Sequence, residues 1–226
     1  MNEFSKAQLL VVDDHPIVRH GIVQLLNRQP DMEVVAEADD AESALAHLRE
    51  RSFALIVTDI SLPGLSGLDL IRRVNTTKDA PPMLVLSMHE ESVYAERALN
   101  AGARGYVMKQ EAPDKLVAAV RKLLAGGIYL SPPMEERMLM SLVKGKPATA
   151  EPSLSVLTER EFEVLQMIAQ GLTSAQIAER INRSIKSVEA YRTSLRAKLG
   201  AKTTVDLARL ALEHFPHVPR SSTPKA

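Results

Sequence analysis

The sequence predicts two domains of different class: an α/β domain on a doubly wound, five-stranded parallel sheet, then an all-α domain of four helices. Three observations carry this. Up to residue 126, short β-branched runs alternate with helix-length amphipathic stretches, the pattern of right-handed βαβ crossovers around a sheet covered on both faces. From 158 onward only helical periodicity remains. Between them, Gly145 to Pro152 is too poor in apolar residues to pack and reads as a linker. A chain of 226 residues also suits two domains better than one.

Taken in order, the expected strands are 8–13, 33–37, 54–59, 83–87 and 104–108, and the expected helices between and after them are 16–29, 41–51, 67–76, 91–101 and 113–125. Pro16 opens the first helix, where its missing N–H costs nothing. Gly126-Gly127 ends the fifth helix as a left-handed cap. Ser131-Pro132-Pro133 then opens a short helix over 134–143. Thr158 and Glu161 match a capping box, Gly171 stops that helix, and three more follow at 173–181, 184–199 and 203–214. The Pro- and Ser-rich tail begins at Pro216. The domains are therefore placed at 1–126 and 153–218, with a linker over 127–152 and a loose tail over 219–226.

Apolar content of 45% with 25% charged residues is that of a globular protein able to bury a core in each half. The chain has no cysteine, which excludes disulfides and thiolate metal sites and fits a reducing cytoplasm. Neither a signal peptide nor a spanning helix is expected, since no apolar run approaches about 18 residues. The zero net charge conceals an asymmetry: residues 1–126 carry 14 Lys/Arg against 18 Asp/Glu, and 127–226 carry 14 against 10. Within 180–202, Arg180, Arg183, Lys186, Arg192, Arg196, Lys198 and Lys202 are opposed only by Glu189. Such an excess suits a polyanion, although charged helix faces are usually just solvated.

The expected strands place several polar groups together. Asp13 and Asp14 end Leu9-Leu10-Val11-Val12, Asp59 ends Leu55-Ile56-Val57, Ser87 closes Met83-Leu84-Val85-Leu86, and Lys109 follows Gly105-Tyr106-Val107. In a parallel sheet all five emerge at the carboxyl edge, where open α/β sheets bind ligands. Singly, Asp13-Asp14 ahead of Pro16 suits a helix N-cap, and Asp59 ahead of Pro63-Gly64 a turn. Those roles leave the joint placement unexplained. Three adjacent carboxylates cost several kcal/mol unless a cation neutralises them. Mg²⁺ suits an all-oxygen set that also meets phosphate. A hydroxyl and a fixed ammonium complete what a phosphoryl group needs, which points to Asp59 as a phosphate acceptor.

The elements Val12-Asp13-Asp14-His15, Thr58-Asp59-Ile60-Ser61-Leu62-Pro63-Gly64, Leu86-Ser87 and Gly105-Tyr106-Val107-Met108-Lys109 resemble the receiver domain of two-component response regulators. The resemblance implies that Asp59 takes phosphate from a histidine kinase's phosphohistidine. It also implies that Asp14, Asp59 and the Ser61 carbonyl ligate Mg²⁺, with Asp13 reaching it directly or through water. Ser87 and Tyr106 would form a switch pair; His89, two residues after Ser87, reads either as a modulator of phosphate lifetime, the role of this position in receivers, or as a solvent-exposed loop histidine. The family often follows the lysine with a cis-proline, but here Gln110 follows Lys109.

The stretch Thr173–Tyr191 and its continuation have helix-turn-helix spacing. Ala178 is small where two helices cross, and Asn182 tolerates a left-handed turn. Ile185, Val188, Leu195 and Leu199 are expected to form the buried stripe, which leaves Lys186, Glu189, Ala190, Thr193 and Arg196 outward. Leu157-Thr158-Glu159-Arg160-Glu161, Gly171-Leu172, Val188-Glu189 and Lys198-Leu199-Gly200 resemble the LuxR-type helix-turn-helix. Together with a receiver, this is the NarL/FixJ class. The resemblance implies that helix 184–199 enters the major groove of double-stranded DNA. Lys186, Glu189, Ala190 and Thr193 would lie nearest the bases, while Thr173, Ser174, Arg183, Arg192 and Arg196 would hold phosphates. Val205 and Ala208 of the last helix would face a second copy in a homodimer formed on phosphorylation or on DNA.

The reading is a cytoplasmic transcription regulator governed by Asp59, with no membrane partner and with RNA polymerase as a further partner. One rival is a phosphate-independent regulator whose receiver only dimerises or senses. The complete set Asp13, Asp14, Asp59, Ser87 and Lys109 opposes it. A second rival, a Mg²⁺-dependent phosphatase, would want an acidic general acid near the nucleophile, where Ser61 stands. His214 and His217 are close enough to suggest a metal site, but a surface pair interrupted by Pro216 accounts for them. Met134, Met138, Met140 and Met167 read as packing residues.

Overall fold

A computed structural model describes residues 6–89, 91–144 and 154–215. The expected linker segment 145–152 and the tail from Pro216, with His217, lie outside the described residues. The chain divides into two compact units, Met1–Lys146 and Pro147–Ala226.

The first unit alternates strand and helix: β1 Ala7–Val12, α1 Pro16–Asn27, β2 Met32–Ala38, α2 Ala41–Glu50, β3 Leu55–Thr58, α3 Gly67–Asn75, β4 Met83–Ser87, α4 Glu91–Ala101, β5 Gly105–Met108 and α5 Ala112–Leu124. The sheet is five-stranded in the order β2-β1-β3-β4-β5, and every pairing is parallel. Strand side chains alternate faces. Leu9, Val11, Leu55, Val57, Leu84, Leu86 and Val107 pack in one core with Ile22 and Leu26 of α1 and Leu116, Val120 and Leu123 of α5. Intervening residues such as Leu10, Ile56, Val85 and Tyr106 are also buried; α2 and α4 lie against the sheet, and α3 against both of them. Near-continuous apolar strands are the signature of a sheet covered twice. Burial of a Leu or Ile is worth about 1.5–3 kcal/mol, so truncating Leu55 or Ile56, both fully buried, would cost more than any exposed ion pair supplies.

Pro16 is the first residue of α1, with His15 rather than an aspartate as the cap. Gly126 takes φ +83° and closes α5. A 3₁₀ turn, Lys109–Glu111, precedes α5, and the described peptide bonds, including that before Gln110, are all trans. The helix after the sheet, α6, runs Pro132–Lys144 and is longer at both ends than expected. It packs on α4. Met134 is buried, Arg137 Nη1 donates to the Ser92 carbonyl at 2.8 Å, and Glu135 pairs with Lys122 at 3.2 Å. The segment thus belongs to the first unit, past residue 126.

Among its described residues the second unit opens on a 3₁₀ turn, Leu154–Val156, followed by α7 Glu159–Ala169, α8 Ser174–Arg180, α9 Ile185–Leu199 and α10 Thr204–His214. Capping boxes start α7, α8 and α10, each replacing orphan N–H bonds at a helix entry. Asn182 does adopt the left-handed region, at φ 51°, between α8 and α9. Val188, Leu195, Leu199, Ile177, Phe162 and Leu207 are among the buried core, and Phe162 meets Phe215 edge-on at 5.3 Å.

Candidate functional site

In the first unit the strand order reverses direction of growth at β1 and β3, and ligands of open α/β sheets bind beyond the carboxyl ends at such a point. Pairing carries past the strand ends there. Asp59 N donates to the Val12 carbonyl at 2.9 Å, and Asp13 N to Ala38 at 3.1 Å. Both side chains are buried, Asp13 at 1% and Asp59 at 3% exposure. Behind them Gly67 opens α3. A Cβ there would lie 1.8 Å from the Asp59 carbonyl oxygen, so no other residue lets α3 approach this closely.

Lys109 Nζ lies 2.7 Å from Oδ2 of Asp13 and 2.7 Å from Oδ2 of Asp59, with its side chain 5% exposed. Burial by itself pushes the ammonium pKa down. The charges and hydrogen bonds of Asp59 and Asp13 outweigh that and hold it above the ordinary lysine value. Asp13 Oδ1 accepts from His15 N at 2.9 Å, and Asp14 Oδ1 lies 2.6 Å from His15 Nδ1. Ligand atoms of Asp13, Asp14, His15 and Asp59 fall within 4.8 Å of one another. One lysine offsets one of three carboxylates, so the donor set fits a hard, oxygen-seeking cation. Ser61 N donates to Asp59 Oδ1 at 3.2 Å, and its hydroxyl lies 3.0 Å from His89 Nε2. Ser87 is fully buried, and its hydroxyl accepts from His89 N at 3.2 Å. Tyr106 points inward at 1% exposure and donates to the His89 carbonyl at 2.8 Å.

In the second unit α8 and α9 pack across the Asn182 turn. Lys186, Glu189, Ala190, Thr193 and Arg183 are exposed, and Arg192 and Arg196 half-buried. The Thr173 hydroxyl caps α8 by accepting from Gln176 N at 3.4 Å. Thr193 donates its hydroxyl back to the Glu189 carbonyl at 2.9 Å.

Residues 9–121 match the family described as the response regulator receiver domain, and 155–211 the family described as bacterial regulatory proteins, luxR family. The transcriptional regulatory protein UhpA of Escherichia coli K12 is 39% identical over 88% of this chain and 94% of its own. This chain belongs to the two-component response regulators of the NarL/FixJ class, with a receiver and a LuxR-type DNA-binding domain. Among solved structures, RcsB from Salmonella enterica serovar Typhimurium, bound to promoter P1flhDC with the phosphomimetic BeF3-, is 28% identical over 93% of this chain and 100% of that one, at a TM-score of 0.56. A structure of two RcsB dimers on two parallel DNAs is 27% identical over 93% and 99%, also at 0.56. The family is one of transcription regulators rather than enzymes. Among the described residues no helix is long and apolar enough to cross a membrane.

In this response regulator the residues expected at the receiver's edge come together: Asp13, Asp14, Asp59, Ser61, Ser87 and Lys109 lie within one connected set of contacts. One expectation in the DNA-binding domain needs correction. Ile185, the first residue of α9, is 53% exposed rather than part of the buried stripe. Glu189 is exposed as expected, and its Oε1 accepts the Ser174 hydroxyl at 2.6 Å. Lys198, counted among the basic set, pairs with Glu161 at 2.6 Å. Sequence spacing gave no sign of Glu161 as a hub. Its carboxylate accepts from Thr158 N at 2.7 Å, Ser194 Oγ at 2.5 Å and Lys198 Nζ at 2.6 Å.

Proposed function

We propose that this response regulator is switched by phosphoryl transfer from a histidine kinase to Asp59, and that the phosphorylated chain binds double-stranded DNA as a homodimer in the cytoplasm. The observation that supports it most is the buried Lys109 held between Asp13 and Asp59 at the sheet's reversal point. The assignment takes 1–126 as the receiver, 127–152 as a linker whose helix α6 packs on α4 of the first unit, 153–218 as the DNA-binding domain and 219–226 as tail.

Transfer breaks the P–N bond of a phosphohistidine and forms a P–O bond to an Asp59 carboxylate oxygen, the histidine nitrogen taking up a proton. Asp13, Asp14, Asp59 and the Ser61 carbonyl would hold Mg²⁺, whose charge offsets that of the phosphoryl oxygens. Lys109 supplies a second positive charge to those oxygens once Asp59 is esterified. The Ser87 hydroxyl donates to one of them, and Tyr106 packs inward behind it as the other half of the switch. On DNA, Lys186, Ala190 and Thr193 lie toward base edges and Thr173, Ser174, Arg183, Arg192 and Arg196 toward phosphates. A promoter-bound dimer would meet RNA polymerase. Two rivals fail on the same residues: a phosphate-blind receiver has no use for a buried lysine between two carboxylates, and a phosphatase lacks a carboxylic acid at position 61.

The test is affinity for a duplex selected by the chain from random sequence, with and without acetyl phosphate and Mg²⁺. Wild type should tighten by tenfold or more and Asp59→Asn should not respond. Equal tightening in both removes Asp59 from the account.

A further inference from the structure

The DNA-binding domain carries a polar pocket of about 200 Å³ lined by Ser174, Glu189, Arg192, Arg196, Thr204 and Leu207. Five of these six side chains are polar, so the pocket suits an anion rather than an apolar group. Two guanidinium groups face one carboxylate, which leaves a net positive charge. Thr204 begins α10, whose positive dipole end adds to it. The size and charge match one phosphodiester of a DNA backbone.

A carboxylate in such a pocket repels phosphate and so needs a reason to be there. The hydrogen bonds give one. Ser174 donates its hydroxyl to Glu189 Oε1 at 2.6 Å, and Ser174 Oγ itself accepts from Arg192 Nη1 at 3.1 Å. Glu189 and Arg192 sit three apart on α9, on one face, and Ser174 is the first residue of α8. Holding the hydroxyl proton toward Glu189 leaves the serine lone pairs directed at the arginine. One long, mobile side chain is thereby fixed across two helices. The Glu189 carboxylate is thus engaged with the first residue of α8.

We propose that Glu189 is a positioning residue that sets Arg192, through Ser174, to receive a single backbone phosphate in this pocket, and is not a base-reading residue. The proposal rests on the DNA-binding function above. Preorganisation of this kind lowers the ordering cost of binding for every sequence alike. Removing it costs affinity but no base preference.

The experiment uses the full chain treated with acetyl phosphate and Mg²⁺, a duplex selected by wild type from a random pool, and an unselected random duplex. Glu189→Ala should lose about three- to tenfold on both duplexes, the range of one net hydrogen bond, and reselection should return the same base at every position. Glu189→Gln, whose amide oxygen still accepts from Ser174, should restore most of the affinity. In an Arg192→Ala background Glu189→Ala should cost nothing further, the non-additivity of a shared path. A changed base at one position, additive losses with Arg192→Ala, or tighter binding by Glu189→Ala each overturns the positioning role. Failure of the wild-type chain to bind either duplex is a separate result and overturns the DNA-binding function itself.

Discussion

The Tyr106 hydroxyl donates to the backbone carbonyl of His89 across 2.8 Å. His89 in turn gives its amide to the Ser87 hydroxyl, and its ring stacks on Tyr94 at 4.3 Å between centroids. The loop after β4 is therefore tied to β5, to its own strand end and to α4 at one residue. It lies next to the carboxylates, since His89 Nε2 also reaches Ser61. A change in bonding at Ser87 thus has a direct mechanical route to α4.

Tyr106→Phe keeps the buried ring and removes the hydroxyl that donates to His89. It should lower the stability of the receiver by about 1 kcal/mol. Amide exchange at Met88 and His89 should speed up, while amides of β1 and β3 stay protected. Unchanged exchange at those two residues would show that the hydroxyl does not hold the loop.

Divalent cation should stabilise the receiver, because the acidic set exists only in the folded state. At a Mg²⁺ concentration ten times its dissociation constant the gain is about 1.4 kcal/mol, read as a rise in thermal midpoint. Asp14→Asn should abolish most of the rise, and EDTA should reverse it. An equal rise in Asp14→Asn would place the cation elsewhere.

The DNA-binding domain should weaken in acid through Glu161. Burial raises the pKa of this carboxyl, but the bonds from Lys198, Ser194 and Thr158 prevail and hold it below the usual glutamate value. A group depressed on folding stabilises above its unfolded pKa, near 4.3, and that contribution is lost as pH falls through the lower folded value. Chemical denaturation of Glu161→Gln should show a loss of about 2 kcal/mol at pH 7 and a flatter profile below pH 4.5. A profile parallel to wild type would assign the acid sensitivity to other groups.

Much of this was legible in the sequence because it depends on local signals. Strand ends followed by Asp13, Asp59, Ser87 and Lys109 require only the period-two pattern and the parallel topology. Gly126, Gly171 and Asn182 announce left-handed turns by residue type, and all three have positive φ. What escaped depends on contacts between distant residues. Glu161 reads as a capping-box partner of Thr158, yet Ser194 and Lys198, more than thirty positions on, complete its bonds. Ile185 stands three residues before the buried Val188, and periodicity puts both on one face. Only the packing in three dimensions decides that Val188 is covered and Ile185, at the start of α9, is not. Met134 likewise shows no partner until α6 is seen on α4.

Everything proposed for the receiver turns on Asp59 as the phosphate acceptor. Acetyl phosphate and Mg²⁺ should add one acid-labile phosphoryl group per chain, located by peptide mapping after borohydride reduction of the acyl phosphate. The modified residue should be Asp59, and Asp59→Asn should carry no label. Undiminished labelling of that variant, or a map that places the phosphoryl group on Asp13 or Asp14, would contradict the account.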